Sequence, residues 1–218
     1  MITRDYPLAE RLLREGLAYC AEHDLDSWGT YMGAWKARVR FEQGAWNEAA
    51  EEATRVLDQY RLAPVAKIAA LVILGWVRVR RGDPGCTALL DEAYTLALTT
   101  GEPQRIVPVA AARAEAAWLR GNQEQCLAET HRGYDLALEH ADPWKLGELS
   151  VWMWRVEGLT SVSAPIAEPF ARQIAGDWRG AAALWAQMGC PYEQALALAD
   201  GDEEALLNAL TLFERLGA

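Results

Sequence analysis

The side chains able to do chemistry are few, and their spacing does not group them. Histidine occurs three times, at His23, His131 and His140. His131 and His140 stand nine residues apart on one helical stretch, two and a half turns, so they face different ways. Cys126 and His131 are five apart, off the i, i+4 line that a shared metal would favour, and no HExxH pattern occurs. The three histidines are therefore expected to be surface or capping groups, with no metal site. Ser161 and Ser163 lie in a stretch without a GxSxG elbow or a nearby histidine. Cys190, between Gly189 and Pro191, stands where a helix N-terminus would lower a thiol pKa, but buried packing is its expected role. The pairs Glu51/Glu52 and Glu203/Glu204 read as solvated helix faces. No catalytic constellation emerges, so the chain is expected to be no enzyme and to use no cofactor.

Tryptophan is the exception, with ten in 218 residues. Indoles offer flat apolar platforms and one donor each, and beside charged handles they build pockets for small ligands or peptides. Where they point depends on the elements that carry them.

Composition bounds those elements. The chain is 51% hydrophobic and 24% charged, enough to bury a core. Its formal charge of −10 repels phosphate backbones, which argues against direct contact with nucleic acid. Cys20, Cys86, Cys126 and Cys190 form no CxxC pair, a usage that fits a reducing cytoplasm. The opening residues have no apolar signal-peptide region. The longest apolar run, Ile68 to Val77, is far short of the roughly 20 residues a membrane helix needs.

A fixed period organises the chain. Gly44, Gly82, Gly121 and Gly158 each follow a helical run, at intervals of 38, 39 and 37 residues. The runs before them are Trp28 to Phe41, Pro64 to Arg81, Pro103 to Arg120 and Pro143 to Glu157, three of which open on a proline suited to a first helical turn. Asp142 supplies an N-cap for the fourth. After the first three glycines a second helix follows, with Ala49, Ala53, Val56 and Tyr60 on one face of the first of them. Gly44-Ala45-Trp46-Asn47-Glu48-Ala49 resembles the turn and second helix of a tetratricopeptide (TPR) repeat. Seven residues before each anchor stand Ala37, Gly75, Ala114 and then Val151, which departs from the small-residue rule; five after stand Ala49, Thr87, Cys126 and Ser163. The expected fold is all-α, a TPR-like right-handed superhelix of antiparallel helix pairs over residues 1–158 with an irregular helical C-terminal part. Residues 159–218 are expected to form a loop and short helices packing on the array: Ala167 to Ala175, Trp178 to about Gly189, Pro191 to Ala199 and Asp202 to Leu216. Leu8 to Glu22 reads as a lone second helix whose partner is missing, so a piece of something longer, with an apolar face open to self-association, is expected.

The repeat register assigns the platforms. Positions on the first helix of each pair that face a TPR groove give Tyr31, Arg38, Trp76, Glu115, Trp118, Trp152 and Arg155 as a candidate ligand- or peptide-binding groove. Trp46 and Trp178, each two after a turn glycine, are expected to pack.

Three stretches, Arg4 to Trp28, Val107 to Asn122 and above all Ala167 to Ala199 (AEPFARQIAGDWRGAAALWAQMGCPYEQALALA), resemble the helical-repeat region of the large ATP-dependent LuxR-type bacterial transcriptional regulators. The resemblance implies an arm that receives a signal, from a small-molecule inducer or a partner protein, between an NTPase module and a helix-turn-helix. The chain has no Gly-Lys dipeptide and hence no Walker A loop, and it carries no basic recognition helix. The function expected is thus a non-catalytic scaffold or sensor arm that mediates protein–protein contact or inducer recognition, without nucleic-acid or membrane contact by this segment. The alternative is a small-molecule sensor that uses the Trp/Arg groove.

Overall fold

The computed structural model describes residues 4–158, 162 and 164–218, and among these it has twelve helices and no strand. The helices form two compact units, Thr3–Gly101 and Glu102 to Ala218.

The first unit holds α1 (Tyr6–Glu22), α2 (Asp26–Glu42), α3 (Trp46–Leu57), α4 (Pro64–Arg81) and α5 (Cys86–Thr100). Each packs on its neighbour in the chain, and α2 also touches α4. The apolar face of α3, with Trp46, Ala49, Ala53 and Val56 all buried, lies at the 3.6-residue period. By contrast α4 is buried on nearly every side, from Ala66 through Ile73 and Trp76 to Val79, as its uninterrupted apolar run requires. Close approach is set by missing side chains. A Cβ on Gly75 would lie 2.7 Å from Leu90 Cδ2, so α4 and α5 meet where the repeat asks for a small residue. The anchor glycines close the first helix of each pair: Gly44, Gly82, Gly121 and Gly158 all have φ between +71° and +81°, which other residues adopt only with strain.

The second unit holds α6 (Pro103–Leu119), α7 (Gln123–Glu139), α8 (Pro143–Glu157), α9 (Glu168–Ile174), α10 (Trp178–Met188), α11 (Pro191–Leu198) and α12 (Glu203–Leu216). Neighbours again pack in order, and α6 touches α8. Asp142 caps α8 by accepting from the Trp144 and Lys145 N–H groups at 3.0 and 3.1 Å. Asn122, Asp177 and Asp202 cap α7, α10 and α12 in the same way. The C-terminal helices seat directly on α8: Phe170 fills the space beside Gly147, and the Ala167 N–H donates to the Pro143 carbonyl at 2.9 Å. The expected short helices are present within a residue or two of their sequence bounds. The compact units divide at Gly101/Glu102, whereas the repeat register places its boundary at Gly158.

One local expectation needs correction. Glu52 is not a solvated face residue; it is buried between Lys36 and Arg55, both of which pair with it. Of the small residues five after each anchor, Ala49 and Cys126 are buried but Thr87 is exposed on the first turn of α5. Ser161 and Ser163, and most of the stretch expected to form a loop after Gly158, lie outside the described residues. Among the described residues no helix is long and apolar enough to cross a membrane.

Candidate interaction surface

The seven candidate positions fall into two groups, three in the first unit and four in the second. In the first, Tyr31 stands half-buried on α2 between two tryptophans the register did not select. Trp28 keeps 63% of its surface and Trp35 39%. The rings meet edge to face, with centroids 6.5 Å apart for Trp28–Tyr31 and 6.2 Å for Tyr31–Trp35. Spacing of i, i+3, i+7 puts all three on one stripe of the helix, and the result is an exposed aromatic ladder.

One turn further, the same stripe goes inside. Arg38 Nε donates to Glu42 Oε1 at 2.6 Å, and its guanidinium lies 4.8 Å from the Trp76 ring centroid. Trp76 has 1% of its surface exposed and stacks on Phe41 at 5.4 Å, with Arg80 over the Phe41 ring at 4.4 Å. Tyr6 Oη donates to Glu42 Oε2 at 2.9 Å, and Arg4 approaches Oε1 at 3.8 Å. Burial alone would raise the Glu42 pKa; the Arg38 and Arg4 charges and the Arg38 and Tyr6 hydrogen bonds outweigh it and bring it to about 2. Trp76 and Arg38 therefore fasten α1, α2 and α4 together, and the Trp76 ring is not presented as a platform.

In the second unit, Glu115 is buried on α6 and Trp152 is buried on α8. Trp152 packs with Ala114, Ala117 and Cys126, and tilts against the half-buried Trp118 at 5.3 Å. Arg155 sits between Trp118 and Trp154, 5.3 Å from each ring. Its guanidinium donates to both Asp200 oxygens at 3.0 and 2.9 Å and to the Leu196 carbonyl at 3.1 Å, and Gln173 donates to Asp200 at 2.7 Å. So Trp118, Trp152 and Arg155 do come together, but as a clamp that ties α8 to α11. Asp200 and Gln173 were not identifiable beforehand, because 45 residues separate Arg155 from Asp200 and no local pattern links them. Trp28 and Trp35 were legible in principle from the i, i+3, i+7 aromatic spacing alone.

The remaining chemistry-bearing groups stay apart. His23 and His140 bond their Nδ1 atoms to the carbonyls one turn back, at Tyr19 and Leu136, as capping groups do. Cys126 is buried, and that burial raises its thiol pKa to about 11, against a weaker lowering by Thr130. Glu42 and Cys126 thus lie far from neutrality on opposite sides, where neither makes an efficient proton shuttle. Cys190 is buried at the start of α11. Trp46 is buried and its Nε1 donates to the Phe41 carbonyl at 3.2 Å, whereas Trp178 is half-buried under Arg179 and beside Gly201. Among the described residues no group of three His, Cys, Asp or Glu could hold a metal ion.

What the arrangement offers is an open aromatic stripe on α2 and two closed Trp–Arg–carboxylate networks. Comparison of the chain with protein-family models, with curated proteins and with solved structures gives no match.

Proposed function

We propose that this chain is a non-catalytic helical-repeat arm of a LuxR-type transcriptional regulator, whose task is to dock a protein or peptide partner or to recognise an inducer. The observation that carries the docking role is the exposed Trp28–Tyr31–Trp35 ladder. Exposed aromatics in a row are costly to leave in water, and interaction surfaces are where tryptophan and tyrosine collect. The regulator assignment rests on the sequence resemblance, and the TPR-like right-handed superhelix rests on the repeat register. A cytoplasmic setting fits the four free thiols. Self-association is part of the proposal: the outer face of α1 exposes Leu8, Leu12 and Tyr19.

The small-molecule reading has weaker support in the second unit, because the cage of Trp118 and Trp154 is already filled by Arg155. A ligand there would have to displace Arg155 from Asp200.

A thermal-shift screen against sugars, nucleotides, amino acids and short peptides tests the docking role. At a hundred times Kd a ligand adds about 2.7 kcal/mol of stability. The expected hit is one whose shift disappears in the W28A/W35A double variant. A shift that survives both substitutions places binding elsewhere, and a strict monomer at high concentration removes the self-association.

A further inference from the structure

We infer that the α2 ladder takes an arginine-bearing segment of a partner polypeptide, a reading that rests on the docking role above. The warrant is a pattern the chain repeats with its own residues. Arg38 lies 4.8 Å from the Trp76 ring and is held by Glu42. Arg155 lies 5.3 Å from the Trp118 ring and is held by Asp200. Arg179 lies 4.1 Å from the Trp178 ring and is held by Asp202. Each case joins an indole, a guanidinium and a carboxylate. The ring quadrupole attracts the cation, and the carboxylate neutralises it.

At the ladder two of these three components are present. Trp28 and Trp35 are the most exposed indoles noted above, and among the described residues neither has a guanidinium over its ring. Just before Trp28 in the chain come Glu22, Asp24 and Asp26, all exposed and without an ion pair among the described residues. The cations of α2 are already committed: Lys36 pairs with Glu52, Arg38 with Glu42 and Arg40 with Glu10. The stripe is therefore apolar and aromatic, and three exposed carboxylates precede it in the chain, whose net charge is −10. A partner that supplies guanidinium groups meets both demands at once. Arginine fits better than lysine, because its planar, weakly hydrated head stacks on a ring while its edge still donates to a carboxylate. A neutral proline-rich or aromatic segment would use the rings and leave the carboxylates idle.

The test is calorimetric titration of the full chain with a ten-residue peptide of alternating Arg and Ala, and with its Lys and citrulline counterparts. The Arg peptide should bind, weaken as salt is raised, and exceed the citrulline peptide, which keeps the shape and loses the charge. W28A/W35A should weaken it by about five- to thirtyfold, from two exposed cation–π contacts. D24N/D26N, which leaves the rings in place, should weaken it by about threefold or more. Both variants change exposed side chains, and circular dichroism checks that the helices persist. Equal affinity for the Arg and citrulline peptides overturns the inference, as does Arg binding that W28A/W35A leaves unchanged, or no Arg binding by about 1 mM. In those cases the docking role still stands if a neutral ligand from the screen gives a shift that W28A/W35A removes. A dimer that the same double variant dissociates would assign the ladder to a second copy of the chain and also overturn the inference.

Discussion

Glu42 gives the sharpest prediction, because its environment translates into a pH dependence with a definite sign. In the folded first unit its pKa falls from 4.5 to about 2, against the opposing effect of burial. A carboxylate whose folded pKa lies below its unfolded one adds stability above the unfolded value, and loses it as pH falls through the window from 4.5 toward 2. At about 1.4 kcal/mol for each pKa unit, ionised Glu42 contributes on the order of 3 kcal/mol at neutral pH. About 2 kcal/mol of that is gone by pH 3, since proton uptake by the unfolded chain is then almost complete while folded Glu42 is still largely ionised. Glu42→Gln removes the charge that Arg38 and Arg4 surround, so it should cost roughly 3 kcal/mol at pH 7 and strip the same component from the pH profile. Urea unfolding followed by circular dichroism, for wild type and variant at pH 7, 5, 4 and 3, measures both. The expected result is a gap between the two proteins that narrows by about 2 kcal/mol between pH 7 and pH 3. A gap that stays constant within about 0.5 kcal/mol over that range would refute the reasoning, because Glu42 would then titrate alike in the folded and unfolded states.

Other substitutions test the packing side. Trp76→Ala should destabilise by about 3–5 kcal/mol in denaturant unfolding, since it empties a fully buried site between Phe41 and Arg38, whereas exposed Trp28→Ala should stay within about 0.5 kcal/mol of wild type. Gly147→Ala would set a methyl 2.8 Å from Phe170 Cγ, so a melting scan should show a loss of about 1–3 kcal/mol despite the better helix propensity of alanine. Asp200→Ala leaves the Arg155 guanidinium without its bidentate partner beside two indoles; with both side chains still slightly solvated, the expected cost is about 2 kcal/mol, and a double-mutant cycle with Arg155→Met should recover most of it. Alkylation with iodoacetamide at mild alkaline pH should label Cys86 first, and should reach buried Cys20, Cys126 and Cys190 only after denaturant is added, as read by intact-protein mass.

The local organisation was legible because its causes are local. Pro64, Pro103 and Pro143 open their helices, Asp142 caps the last of them, and Gly82 and Gly158 end theirs in a left-handed turn. Each of these effects acts within a few residues, so the 37–39-residue period carried over into helix bounds almost unchanged. Register also fixes the azimuth of a side chain on its helix, which is why Arg38 and Trp76 do meet, and why Trp118 and Trp152 do. What register cannot give is the neighbour that covers that azimuth. Trp76 is closed off because Phe41, Arg80 and the α1 anchor Tyr6–Glu42 converge on the same place, and Arg155 is taken up by Asp200 in the turn after α11, 45 residues on. On α2 the same stripe is open at Trp28 and Trp35 and closed at Arg38, within three turns. Burial depends on which surfaces the other helices bring up. It is therefore a property of the packed structure, and the tertiary fold alone decided which aromatics became core and which stayed exposed.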